Sequence, residues 1–128
     1  MIYLDSSVAL AHLFDERRRP DPDFWQQAIR SSRLLEYEVW NRLHASGRAT
    51  AASAETRKMM SGVELVDLSP GILSRALQPF PVPVRTLDGL HLATMDYLRL
   101  RGASLELASY DDRLISAAQA MGFGILSS

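Results

Sequence analysis

Four acidic residues stand where the local sequence makes them conspicuous: Asp5, Glu38, Asp88 and Asp111, with Asp112 beside the last. Asp5 ends the short β-prone run Ile2-Tyr3-Leu4, and Asp111 follows a second such run, Leu105 to Ser109. In open parallel sheets the ligand crevice lies outside the carboxyl ends of the strands, so Asp5 and Asp111 face one rim if their strands are neighbours. Glu38 and Asp88 fall in the first turns of two long helical stretches, within reach of that rim. Carboxylates brought within a few ångström raise one another's pKa and repel unless something positive lies among them. With no cysteine and three scattered histidines the donors are all oxygen, which favours Mg²⁺ or Mn²⁺ over Zn²⁺. A site of this kind suits phosphoryl chemistry, in which the ion activates a water and neutralises charge on an in-line transition state.

Taken singly, each acid has a plainer role. Asp5, Asp88 and Asp111 stand at or just inside helix N-termini, where a carboxylate caps orphan N–H groups for about 0.3 to 2 kcal/mol. Glu38 is different: with Glu36 two residues away, one of the pair falls off the solvent face beside Trp40 and Leu34, where a charge needs a partner. The four together favour a site. His91, one turn after Asp88, has the reach of a general base, but a histidine on the inner face of a packed helix is more often a satisfied core residue and is given no catalytic role.

The elements that must hold these residues follow from hydrophobic period. A strand at Ile2–Leu4 turns at Asp5-Ser6-Ser7 into a helix carrying Val8, Leu10, Ala11, Leu13 and Phe14. Asp15 to Pro22 reads as a charged surface loop, and Ala28 to Ser31 as a clipped strand. A helix with Leu34, Leu35, Tyr37, Val39, Trp40 and Leu43 on its apolar stripe runs from Ser32 to Gly47; a second spans Ser53 to Met60. Val63 to Leu68 alternates as a strand, and Ser69-Pro70 begins a helix through Leu77. Pro79, Pro81 and Pro83 force an extended crossing, after which Thr86 caps a long helix with Leu87, Leu90, Ala93, Thr94, Tyr97 and Leu98 on one face. A strand at Leu105–Ser109, a helix from Asp111 to Met121 and a last strand at Phe123–Leu126 complete the chain. Alternating strands and helices predict an α/β domain with a mainly parallel sheet flanked by helices on both sides, one domain over residues 1–128.

Composition agrees with a single core. At 128 residues and 47% hydrophobic content no disulfide or structural metal is needed, and the absence of cysteine excludes a thiol nucleophile. No apolar run is long enough for a membrane span and no leader pattern precedes Asp5, so a cytoplasmic protein is expected. The net charge of −1 argues against a surface that grips nucleic acid all over, although a local patch such as Arg17-Arg18-Arg19 is compatible with it. Thirteen of the fourteen basic residues are Arg, a bias that base composition of the genome explains without function.

In this order, the segments MIYLDSSVAL, SSRLLEYEVWNRL, RTLDGLHLAT and LASYDDRLISAAQAMG resemble a PIN-domain ribonuclease, more closely a VapC-type toxin of a bacterial toxin–antitoxin pair. The resemblance runs from Ile2 to Gly122. It implies metal-dependent hydrolysis of RNA phosphodiesters, with Asp5, Asp88 and Asp111 holding Mg²⁺ or Mn²⁺ and Glu38 orienting the water or completing a second site. Asp112 ranks behind Asp111 as the last ligand. Ser6 and Ser109 match the family's hydroxyl positions and would hydrogen-bond metal waters or the scissile phosphate. Arg85 and Arg113, beside Asp88 and Asp111, are candidates to meet RNA, as is the Arg17–Arg19 run. The resemblance further implies a VapB-type antitoxin whose C-terminal tail fills the groove, and a toxin homodimer; the short apolar runs, separately, lead us to expect no membrane partner. The short segment before Ser32 implies that the antitoxin-facing hairpin and the second strand are trimmed.

Other readings fare worse. A phosphatase of the haloacid-dehalogenase type needs a second Asp two residues after the first, where this chain has Ser7. A response-regulator receiver needs a late lysine, and the only lysine is Lys58. The alternative from another class is a catalytically degenerate PIN-fold module that binds RNA or a protein. Setting the four acids aside leaves fourteen basic against eleven acidic residues, a mildly basic frame around an acidic site.

Overall fold

The computed structural model describes residues 1–126; Ser127 and Ser128 of the expected domain lie outside the described residues. β1 (Ile2–Leu4) leads through Asp5 into α1 (Ser6–Leu13), and a 3₁₀ turn at Pro22–Gln26 precedes β2 (Ile29–Ser32). α2 (Leu34–Ala45) and α3 (Ser53–Ser61) connect to β3 (Val63–Val66), and α4 (Pro70–Ala76) and α5 (Thr86–Leu100) cross to β4 (Glu106–Ala108). α6 (Asp112–Ala120) and β5 (Gly124–Ile125) follow.

Among the described residues the strands form one sheet in the order β3-β2-β1-β4-β5, and every pairing is parallel. Alternation along β1 divides the core. Ile2 and Leu4 pack on one face with Val8, Leu35, Val39 and Met59 of α1, α2 and α3. Tyr3 points to the other face, among Leu92, Met95 and Leu98 of α5 and Leu114 and Ala118 of α6. The expected sheet with helices on both faces is therefore present.

Strand order reverses between β1 and β4, since the chain leaves β1 toward β2 and β3 and returns on its other side. Leu4 pairs with Ala108, so the residues that follow the two strands emerge side by side. That reversal is where an open parallel sheet forms its crevice.

Several local expectations change. β2 is not trimmed: its four residues pair with β3 along their whole length, from Ile29–Val63 to Ser32–Val66. Between α1 and β2, where a trimmed hairpin and a short helical turn at Asp23–Gln27 are expected, the regular structure is a 3₁₀ turn at Pro22–Gln26, in agreement. α5 is capped by Arg85 in extended geometry, with Thr86 as its first helical residue and no side-chain cap bond. Its buried set is Gly89, His91, Leu92, Ala93, Thr94, Met95 and Leu98, because both the sheet and α4 cover it; Leu87, expected inside, is 39% exposed. Gly47 and Gly102 follow α2 and α5 with φ of 72° and 95°, the left-handed conformation a chain needs to leave a helix sharply. No helix among the described residues is long and apolar enough to cross a membrane.

Candidate active site

Asp5 is 5% exposed and caps α1, and its Oδ2 collects the bonds. The Ser7 hydroxyl donates to it at 2.6 Å, the Ser109 hydroxyl at 2.8 Å and the Ser7 backbone N–H at 3.4 Å. Ser7 Oγ in turn accepts the Tyr110 N–H at 2.9 Å, and Ser109 Oγ accepts the Asp111 N–H at 3.0 Å. The start of α1 is thus stitched to the β4–α6 turn through two serines, and a buried carboxylate finds the donors it requires. Ser109, expected beside metal waters or the phosphate, gives its hydroxyl hydrogen to Asp5. Ser7 was missed as a site residue; the Asp-Ser-Ser capping pattern was visible, but its bond to Tyr110 depends on β4 lying beside β1.

Ser6 has a different partner, donating to Glu38 Oε2 at 3.5 Å. Glu38 lies in the second turn of α2 rather than the first, and its Oε1 meets Nε2 of His91 at 2.5 Å. The other ring nitrogen of His91, Nδ1, is 2.8 Å from the Tyr3 hydroxyl. His91 is 1% exposed and fully partnered, as a core histidine should be, though one of its partners is a site acid. Burial pushes its pKa down, but the Glu38 hydrogen bond and charge, together with the charges of Asp5 and Asp88, outweigh it, and the net shift is upward. Burial holds the Tyr3 hydroxyl far above its usual value, so it remains a protonated phenol. Glu36 points away and pairs with Arg33 at 3.0 Å.

Asp88, in the first turn of α5, is half-buried. Burial raises its pKa, and the charges of Asp111 and Asp5 raise it further; His91 and Arg85 offset only part of this. Three acids from three elements are therefore close enough to feel one another, although they stand far apart in sequence. Asp111 caps α6, its Oδ1 accepting the Arg113 N–H at 3.0 Å and the Leu114 N–H at 3.4 Å. Asp112 is exposed and shares a groove of about 610 Å³ with Asp88, Arg85, Arg113 and the aliphatic wall of Val82 and Val84. Neither Arg85 nor Arg113 enters an ion pair among the described residues. In the arginine run, Arg19 is held by Asp15 and the Glu16 carbonyl, while Arg18 lies over the Tyr110 ring at 4.3 Å.

As donors these groups fit a hard divalent cation: carboxylate and hydroxyl oxygens, with the one nearby imidazole already engaged by Tyr3 and Glu38. The carboxylates stand at coupling rather than ligation distance, and no group of three or more Asp, Glu or His among the described residues forms a closed set around one point.

The PIN domain family model matches residues 2–120. The chain belongs to the PIN-domain family. This PIN domain is similar to Ribonuclease VapC46 of Mycobacterium tuberculosis, with 31% identity across 98% of the chain and 96% of that protein. Ribonuclease VapC47 of the same species is 24% identical over 96% of the chain and 93% of its own length. The fold also matches a chain in a solved toxin-antitoxin complex from Klebsiella pneumoniae, with a TM-score of 0.70, 18% identity and coverage of 99% of this chain and 97% of that one. The VapC-type resemblance expected from the four ordered segments is borne out.

Proposed function

We propose that this PIN domain is a metal-dependent endoribonuclease and the toxin of a toxin–antitoxin pair, hydrolysing RNA phosphodiester bonds at the rim between β1 and β4. The observation that carries the chemistry is Asp88, a half-buried carboxyl raised first by its burial and then by the charges of Asp111 and Asp5, an arrangement that costs stability unless a cation or a reaction uses it. Kinship over nearly the whole chain with a protein named a ribonuclease supports the substrate class.

Asp5, Asp88 and Asp111 would hold Mg²⁺ or Mn²⁺, with Asp112 as the alternative to Asp111 and Glu38 completing the set. The ion, when bound, supplies an activated water and a counter-charge for the phosphoryl transition state. Ser7 and Ser109 fix Asp5 through Oδ2, where no further bond is needed to orient it. Glu38 accepts a proton or orients a water at the rim, and Ser6 lies beside it. Arg85 and Arg113, unpaired among the described residues, receive the phosphates of the strand that enters the groove beside Asp88. An antitoxin would silence the enzyme by occupying the same groove. The protein acts in the cytoplasm, where its RNA is, and as a homodimer.

The test is cleavage of a structured RNA by purified protein with Mn²⁺ or Mg²⁺, beside an Asp5→Asn variant. Wild type should cut, leaving 5′-phosphate ends, and the variant should not. Equal activity or equal inertness of the two overturns the nuclease reading and leaves a binding module.

A further inference from the structure

Beneath the rim a single chain of hydrogen bonds joins the same elements that carry three of the acids. Tyr3 stands in β1 two residues before Asp5, His91 stands in α5 three residues after Asp88, and the chain ends on Glu38 of α2. The contacts are 2.8 Å from the Tyr3 hydroxyl to Nδ1 of His91 and 2.5 Å from Nε2 of His91 to Oε1 of Glu38. Tyr3 and His91 are both at most 1% exposed, so neither link competes with water.

We infer that Tyr3 and His91 are positioning residues that hold the Glu38 carboxylate at the rim in the orientation its metal-directed work requires; the inference rests on the nuclease reading of that site.

The direction of the bonds follows from chemistry. An ionised carboxylate can only accept, so Nε2 of His91 carries a hydrogen toward Glu38. A hydroxyl both donates and accepts, so Tyr3 satisfies Nδ1 whether or not that nitrogen is protonated. The Nε2–H group therefore faces Glu38 in either state. Without it, Glu38 would retain among the described residues only the 3.5 Å contact from Ser6, and a side chain with three torsions in the second turn of a helix would swing toward solvent. Partners that orient a ligating carboxylate in this way are typically worth about 10- to 100-fold in metal affinity or activity.

The experiment measures Mn²⁺ affinity by titration calorimetry, and kcat and KM for RNA, in full-length His91→Leu, His91→Gln and Tyr3→Phe. Each is made with Glu38 intact and again with Glu38→Gln. With Glu38 present, His91→Leu should weaken Mn²⁺ by about 10-fold and lower kcat with KM for RNA little changed. His91→Gln, which keeps an N–H within reach, should recover most of the loss, and Tyr3→Phe should fall between. In the Glu38→Gln background the same substitutions should change Mn²⁺ affinity less than about 2-fold, since the group they orient is gone. Losses of equal size in both backgrounds, or none in a protein whose melting curve shows it folded, overturn the inference. Should His91→Leu fail to fold, Tyr3→Phe, which removes one oxygen and keeps the ring in the core, decides alone. A wild type that neither binds Mn²⁺ nor cuts RNA overturns the nuclease reading itself, and the inference with it; intact wild-type binding with indifferent variants overturns the inference only.

Discussion

Two aspartates on one helix show opposite solutions to the same burden. Asp88 and Asp96 lie about two turns apart on α5, and for both, burial is the strongest influence and pushes the carboxyl upward. Around Asp96 the protein supplies cations: Arg75 of α4 donates to Oδ2 at 2.6 Å and Arg99 to Oδ1 at 2.7 Å, and together they bring its pKa below the usual value. Arg99 also donates to the Met121 carbonyl at 2.5 Å and stacks on Phe123 at 4.0 Å, so this carboxylate ties α4, α5 and the α6–β5 turn together. Around Asp88 the neighbours are Asp111 and Asp5, and its pKa stays raised. Asp96 is neutralised by its own chain, whereas Asp88 is left in deficit, as the proposed chemistry requires of a group that something from outside completes.

The sharpest way to break the contrast is to neutralise each in turn. Asp88→Asn should abolish metal-dependent RNA cleavage, a loss of more than about 10²-fold if the ion contributes several kcal/mol to the transition state. Asp96→Asn, with the protein still folded, should leave the specific rate within about 3-fold of wild type. A steady-state cleavage assay on both variants checks this, and comparable losses would dissolve the distinction.

Metal should sharpen the contrast further. At 100 times its dissociation constant, Mn²⁺ stabilises a protein that binds it only when folded by about 2.7 kcal/mol. Thermal melts should show this gain in wild type and in Asp96→Asn and lose it in Asp88→Asn. No Mn²⁺ effect in wild type would remove the cation from the site.

What could be read from the chain alone follows the same division. Asp5 and Asp111 were legible because each ends a β-prone run and begins a helix, and a parallel sheet brings such ends to one rim whatever the details. The residues alone left open which of Glu36 and Glu38 faces inward; the family resemblance singled out Glu38, and in the structure Glu36 takes the solvent side and pairs with Arg33. The partners of these acids were not. Ser7 reaches Tyr110 across 103 residues, and Tyr3 reaches His91 across 88, contacts that exist only once β1 lies beside β4 and beneath α5. For the same reason the buried face of α5 was misjudged: a single apolar stripe suits a helix covered on one side, whereas α5 is covered by the sheet and by α4, which turns Leu92 and Met95 inward and leaves Leu87 out. The Asp96 pairings escaped notice too, since Arg75 lies 21 residues away on a helix whose docking no local pattern announces.

Stability carries the next prediction. Removing the Asp96 carboxylate leaves two arginines without their shared partner in a largely buried spot, and Asp96→Ala should cost about 1 to 3 kcal/mol, a drop of several degrees in melting temperature. Asp88→Asn in metal-free protein relieves repulsion at the rim and should melt at or above the wild-type temperature. Chemical denaturation of both variants in the presence of a chelator decides it; a clear destabilisation by Asp88→Asn would mean that the rim is structural after all.

The smallest effect is in the acid limb, and there the two carboxyls have opposite signs. Asp96 has a folded pKa below its unfolded value, which is about 3.9, so its contribution is fully present above that pH and is lost as pH falls through the folded value. Asp88 has a folded pKa above its unfolded value, so without metal its ionised form opposes folding at neutral pH, and protonation removes that opposition as pH falls through the raised value. Metal-free Asp96→Asn should therefore lose less stability than wild type between about pH 5 and pH 3, while Asp88→Asn should lose more over the descent from neutrality, having no repulsion left to relieve. Melting temperatures of the three proteins across that range, with chelator throughout, test both signs at once; parallel curves would mean that neither carboxyl is perturbed by its surroundings.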